Sequence, residues 1–235
     1  MRVRGTEKET HMNLVFAREY ERLKESILRL AGEVESRLTS TLRAIAERDT
    51  GTLLALEDLD AEIDEREVLI EEECLKILAL HQPVAKDLRF VVAVLKINND
   101  IERVGDIVVN LADRGTRLAA FPVPPLQERL MEMGRLARGM LKQSIDALVA
   151  LDRHAALEVI RQDDTVDDLN AAIIRDVIAE MARGANAPEP LLLTYGMARD
   201  IERIGDHAAN IAEDVVYLVD GSIIRHRSGT LTAND

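Results

Sequence analysis

Apolar residues recur at spacings of three and four along most of this chain. Leu23, Ile27, Leu30, Val34, Leu38, Leu42 and Ile45 follow the α-helical period and predict a first helix over about residues 13–48. Arg48-Asp49-Thr50-Gly51 reads as a turn whose polar residues offer an N-cap to a second helix, about 51–80. His81-Gln82-Pro83 ends that helix, because proline cannot continue the hydrogen-bond ladder. A third helix, about 84–119, stops before Phe121-Pro122-Val123-Pro124-Pro125, the strongest linker signal in the chain. The same plan then repeats: helices over about 126–151, 153–183 (capped at Asp152) and 191–220, with a loop at Gly184–Pro190. The tail after Gly221 reads as polar and loose.

Comparing the chain with itself shows that the repetition is a duplication. Residues 100–114 read DIERVGDIVVNLADR and residues 200–214 read DIERIGDHAANIAED, in register at an offset of 100. Upstream the match continues at an offset of 103, pairing Asp49 with Asp152, Ile63 with Val166 and Asp64 with Asp167. Long helices joined by short turns pack as antiparallel bundles. The predicted fold is therefore all-α: two tandem three-helix bundles, residues 13–120 and 126–220, with six long helices and the bundles end to end.

Composition narrows the function. Aromatics are 3% of the chain with no Trp, and the abundance of Ala, Leu and Glu favours packed helices. A net charge of −13 argues against nucleic-acid binding or adhesion to anionic lipid. No apolar run reaches the roughly 18–20 residues of a membrane span, and MRVRGTEKETHM lacks the apolar core of a signal peptide. The single cysteine, Cys74, forms no internal disulfide and reads as a small, partly buried hydrophobe. The expectation is a cytoplasmic protein without membrane insertion.

The candidate chemistry is acidic. Glu102, Asp106, Asn110 and Asp113 fall within about 80° of one another on a helix, as do Glu202, Asp206, Asn210 and Glu213. The apolar residues Ile101, Val104, Val108 and Leu111 lie opposite, which sets the oxygen-bearing rows on the outer side. The second helix of each half adds a row: Asp60, Asp64, Glu67 and Glu71 in one, Asp163 and Asp167 in the other. Like charges four apart destabilise a helix by about 0.2–0.5 kcal/mol per pair. Gly105 and Gly205, in mid-helix, cost about 0.8–1.0 kcal/mol each relative to Ala. A hard cation (Fe, Mn, Mg or Ca) would offset the repulsion, and the glycines would admit a neighbouring helix or a partner. An acidic outer face is also what ordinary amphipathic helices show, with Arg103, Arg114 and Arg203 within reach as counter-ions.

His207 points away from the carboxylate row. His11, His81, His154 and His226 read as surface residues near turns or termini. Ser26, Ser36, Ser40 and Ser144 have no His or Asp partner at a catalytic spacing, and the Glu-x-x-His of di-iron bundles is missing. No active site is legible, so the chain is not expected to be an enzyme.

The doubled Asp-Ile-Glu-Arg-x-Gly-Asp-x-x-x-Asn-x-Ala resembles the signature of the PhoU family, accessory proteins of bacterial phosphate-specific transport. Pro83-Val84-Ala85-Lys86-Asp87-Leu88-Arg89 is similar to the family's stretch before its first signature. The second half has Ala187-Pro188-Glu189-Pro190 there instead, so a role tied to that stretch belongs to the first bundle. The resemblance spans about residues 15–220 and implies two three-helix bundles. It also implies metal at Asp60–Asp64 with Glu102–Asp106, and at Asp163–Asp167 with Glu202–Asp206, beside Asn110 and Asn210. Its further implications are negative regulation of the phosphate-starvation response and contact with a phosphate ABC transporter's ATPase subunit and a sensor histidine kinase. A homodimer is expected, although no strict heptad marks its face. The competing readings are a metal-free helical adaptor and a metal-dependent phosphohydrolase or oxidase.

Overall fold

The structure, a computed structural model, describes residues 3–57, 60–122, 126–184 and 188–221. It is all-helical among these residues. The helices are α1 (Val3–Glu47), α2 (Thr50–Glu57), α3 (Asp60–His81), α4 (Ala85–Leu118), α5 (Gln127–Ala150), α6 (Arg153–Ala182) and α7 (Glu189–Asp220). Among the described residues the expected second helix is represented by α2 and α3, on either side of residues 58–59.

The duplication is visible atom by atom at the first turn of each half. Arg48 and Leu151 both take left-handed backbone, φ 57° and 51°. The next residue then donates its amide back across the helix end, Asp49 to the carbonyl of Ala44 at 2.9 Å and Asp152 to that of Ala147 at 3.0 Å. Both aspartates also cap the next helix. Asp49 accepts from the amide and hydroxyl of Thr52, and Asp152 from the amides of His154 and Ala155. Gln82, also left-handed, precedes Pro83 and turns the chain into α4 as the sequence predicts.

The two halves lie side by side rather than end to end. α4 packs along α7 and α1 against α5, in addition to the packing within each half. Lys96 meets Asp214 at 3.0 Å and Arg114 meets Asp200 at 2.9 Å. These pairs set α4 and α7 antiparallel over about 25 Å at 1.5 Å per residue. One continuous apolar core runs through both halves, centred on Ile97, Ile101, Val104 and Leu111 of α4 and Met197, Ile201, Ile204 and Ile211 of α7. A helix buried on two sides carries more than one apolar stripe.

Charged side chains enter this seam only with partners. Asp100, Asp200 and Asp214 are each at most 9% exposed. Asp100 meets His207 Nδ1 at 2.8 Å and lies 3.5 Å from the amide of Asn210. Burial raises the pKa of Asp200, and the Arg114 guanidinium opposes that rise. Gly196 is what admits Arg114: a Cβ there would overlap the guanidinium. Arg114 and Asp214 occupy equivalent repeat positions, as do Gly196 and Lys96. At each end of the seam a cation of α4 thus meets an aspartate of α7.

Candidate metal centre

In the first half, α3 crosses α4 at Gly105. A Cβ there would come within 3.1 Å of Ile63 Cδ1, so the glycine lets Ile63 press onto the α4 backbone. Asp64 follows Ile63 and is thereby placed beside Glu102 and Asp106. Each of the three offers a carboxylate oxygen, and these oxygens lie within 4.8 Å of one another. The second half uses the same device: a Cβ on Gly205 would meet Asp163 Oδ1 and Val166 Cγ1 at 3.3 Å. The glycine admits its own neighbouring helix, one of the two roles the sequence left open.

The carboxylates sit in the α3–α4 and α6–α7 grooves instead of on a fully solvated outer face. The Glu102 side chain is 19% exposed and that of Glu202 is 15% exposed. Burial accordingly dominates their protonation. Glu102 is raised by burial and then by Asp106, and Glu67 by burial and then by Glu71 and Asp64. In the second half Asp163 is pushed up to about 7, by burial first and then by Asp206 and Asp167. Glu202 and Asp206 are raised by burial and then by Asp206 and Asp167 respectively. Asp163 Oδ1 and Glu202 Oε2 are buried with no hydrogen-bond partner. Unsatisfied buried oxygens in an all-oxygen set are what a hard cation would coordinate.

The two centres are not equal. Among the described residues, no three ligand groups of the second row lie within 4.8 Å of one another as the first three do. In the first centre Arg103 approaches Glu102 at 3.4 Å and Asp106 at 3.5 Å, the counter-ion foreseen from sequence. In the second, Arg199 binds Glu202 at 2.9 Å.

The other residues singled out from the sequence have the following surroundings. The side chain of Asp60 lies outside the described residues. Asn110 donates to the Asp106 backbone carbonyl at 3.0 Å, and Asn210 reaches across the seam to Asp100. Both asparagines thus commit their NH2 groups to these bonds, and the side-chain Oδ1 is the atom each would offer a cation. Asp113 pairs weakly with Arg117, 3.8 Å away, and is not in the cluster. His207 is held by Asp100 outside the row, in line with the sequence reading. His81 is not a surface residue: its ring is 9% exposed and meets Glu19 at 2.7 Å.

Glu67 belongs to the predicted acidic row but not to the expected ligand set. Its carboxylate is fixed by the buried Asn98, whose amide also bonds the Glu67 carbonyl at 2.9 Å. The signal was available, since Glu67 lies one turn on from Asp64 along the same face.

A family model described as the PhoU domain matches the chain twice, over residues 27–115 and 130–215. The chain belongs to the PhoU family. It is 33% identical to a phosphate-specific transport system accessory protein PhoU homolog of Pseudomonas aeruginosa, over 92% of this chain and 90% of that protein. The homolog of Deinococcus radiodurans is 37% identical over 83% of this chain and 92% of that protein. Among solved structures, PhoU from Pseudomonas aeruginosa superposes with a TM-score of 0.85 at 33% identity, covering 88% of this chain and all of that one. The phosphate transport system regulatory protein PhoU of Streptococcus pneumoniae gives 0.82 at 27% identity, covering 88% of this chain and 98% of that one. Each PhoU-domain match contains both acidic rows of its half and the mid-helix glycine between them in space.

Proposed function

We propose that this protein regulates phosphate uptake. In this reading it acts in the cytoplasm as a negative regulator of the phosphate-starvation response, by contact with the ATPase subunit of a phosphate ABC transporter and with a sensor histidine kinase. The observation that carries it is the pair of PhoU-domain matches, together spanning most of the chain, in relatives named for phosphate-specific transport. No described helix is long and apolar enough to cross a membrane, which fits a partner that meets the transporter from the side. The reporter test is direct. In a strain lacking the gene, a phosphate-starvation reporter should be active in phosphate-rich medium and silenced by the restored gene. If the restored protein neither represses nor co-purifies with the ATPase subunit or the kinase, the proposal fails.

Metal belongs to the same reading. Asp64, Glu102 and Asp106, with Glu67 beside them, would hold a hard cation in the first centre; Asp163, Asp167, Glu202 and Asp206 would hold one in the second. The cation would supply charge neutralisation, letting half-buried carboxylates stay ionised and fixing α3 on α4 and α6 on α7. Its role is structural: it orders a protein-binding surface. Phosphoester turnover by the metal-loaded protein that disappears in Glu102→Ala would overturn this. A metal-free adaptor is the second reading, and it rests on Arg103, which already partly neutralises Glu102 and Asp106.

A further inference from the structure

A small apolar cleft opens at one end of the seam between the halves, far in sequence from the carboxylates. Tyr20 of α1, Phe90 of α4, Leu148 and Leu151 at the end of α5, and Leu218 and Val219 at the end of α7 line it, enclosing about 230 Å³. Tyr20 and Phe90 stack at 4.3 Å between ring centroids and form its aromatic wall. Its lip remains apolar where it meets water: Val149, Leu151 and Val219 are 49%, 53% and 38% exposed. Lys24 and Lys86 also line it. Neither forms an ion pair among the described residues, in a chain whose net charge is −13.

Volume, symmetry and charge narrow the occupant. Sites for whole small molecules enclose about 300–1,000 Å³. This cleft is smaller, and its apolar lip extends outward as a protein contact would use it. Leu151 corresponds to Arg48 in the first half. There the Arg48 guanidinium donates to the carbonyls of Ala119 and Phe121, and Phe121 packs on the core. Polypeptide thus covers the corresponding end of the first half. The two lysines favour a carboxylate beside whatever fills the apolar floor.

We propose that this cleft is a socket for a segment of a partner protein that brings one bulky apolar side chain flanked by carboxylates. The socket draws on both halves, so an occupant would bridge α1 and α4 to α5 and α7. The proposal rests on the reading that the protein works through protein contacts, and it names one such contact surface.

The probe is a random twelve-residue peptide library displayed on phage, selected on the full chain. The best peptides are then titrated by fluorescence anisotropy against wild type, Leu151→Glu and Lys24→Glu/Lys86→Glu, whose folds are checked by circular dichroism. Selected peptides should carry an aromatic or Leu residue within a turn of Asp or Glu. They should bind each variant at least tenfold more weakly, and peptides with Lys in place of the acid should regain affinity for the double-lysine variant. That charge swap cannot come from a general loss of structure. Peptides that bind all three proteins alike, or a selection with no such pattern, would overturn the proposal. So would decanoate binding as tightly as the peptides (a free amphiphilic acid), or Leu151→Glu dissociating a dimer (a second copy). Peptide binding that appears only after truncation beyond Gly221 would assign the socket to the chain's own tail, and would overturn it too. Binding is read on purified protein, whereas the regulatory reading is judged by the reporter, so either can fail alone.

Discussion

Replacing Asp163 with Asn tests the physical heart of the second acidic row. Asp163 titrates near pH 7 in the folded chain against an ordinary value of 3.8, chiefly because it is partly buried and then because Asp206 and Asp167 face it. At about 1.4 kcal/mol per unit, a fully buried group would lose about 4 kcal/mol on ionising. Asp163 is only half-buried, and solvent screening reduces this to about 1–2 kcal/mol. The sign comes from proton counting. Between pH 4 and 7 the native state holds a proton that the unfolded chain has released, so wild-type stability falls as pH rises through that window. Asn cannot ionise. Metal-free Asp163→Asn should therefore match wild type near pH 4, gain on it up to pH 7, and hold a constant lead above that. A lead of about 1–2 kcal/mol corresponds to about 2–8 °C in Tm for a chain of this size. Urea unfolding of both proteins in chelator, at half-unit steps from pH 4 to 8, measures it. Saturating Mn²⁺ should reverse the ranking, because ligand binding then stabilises only the protein that keeps the carboxylate. Parallel stability curves for the two proteins across the whole pH range would refute the reasoning.

Three further predictions test other parts of the molecule. Elemental mass spectrometry should find metal in the wild type and lose it in Asp106→Ala/Asp206→Ala; equal metal in both would remove the acidic rows from its binding. Gly196→Ala should lower stability by about 2–3 kcal/mol by chemical denaturation, because the new Cβ displaces Arg114 and leaves buried Asp200 without its cation. A variant as stable as wild type would show the pair to be dispensable. Cys74 is fully buried, and burial pushes its thiol up to about 12. Its reaction with a thiol reagent at pH 8 should track global unfolding, and fast labelling of native protein would contradict that.

Most of the local structure was legible because its causes are local. Helix ends at Asp49, Asp152, Pro83 and Pro122 follow from caps and from the proline ring, and the core positions Val34, Leu38, Val104 and Leu111 follow from the 3.6-residue period. The carboxylate rows were legible for the same reason: residues four apart share a face whatever the helix packs against. Asp100 and Asp200 also carried a readable sign. They repeat one offset apart and share a face with Ile97 and Val104, and with Met197 and Ile204, which marks them as core-facing charges in need of partners.

What a row of carboxylates encloses depends on the other helix. Glu102 and Asp106 gather with Asp64 because Gly105 lets Ile63 approach, whereas the NH2 groups of Asn110 and Asn210 find different acceptors, the Asp106 carbonyl and Asp100. By itself the sequence determined an all-helical, duplicated chain with acidic rows on its second and third helices, because periodicity, capping and repetition are properties of neighbouring residues. Only the tertiary structure decided that the halves lie side by side, that His207 and Arg114 serve buried aspartates, and that the first acidic row closes more tightly than the second. Those outcomes depend on which side chains meet across distances in sequence that no local pattern spans.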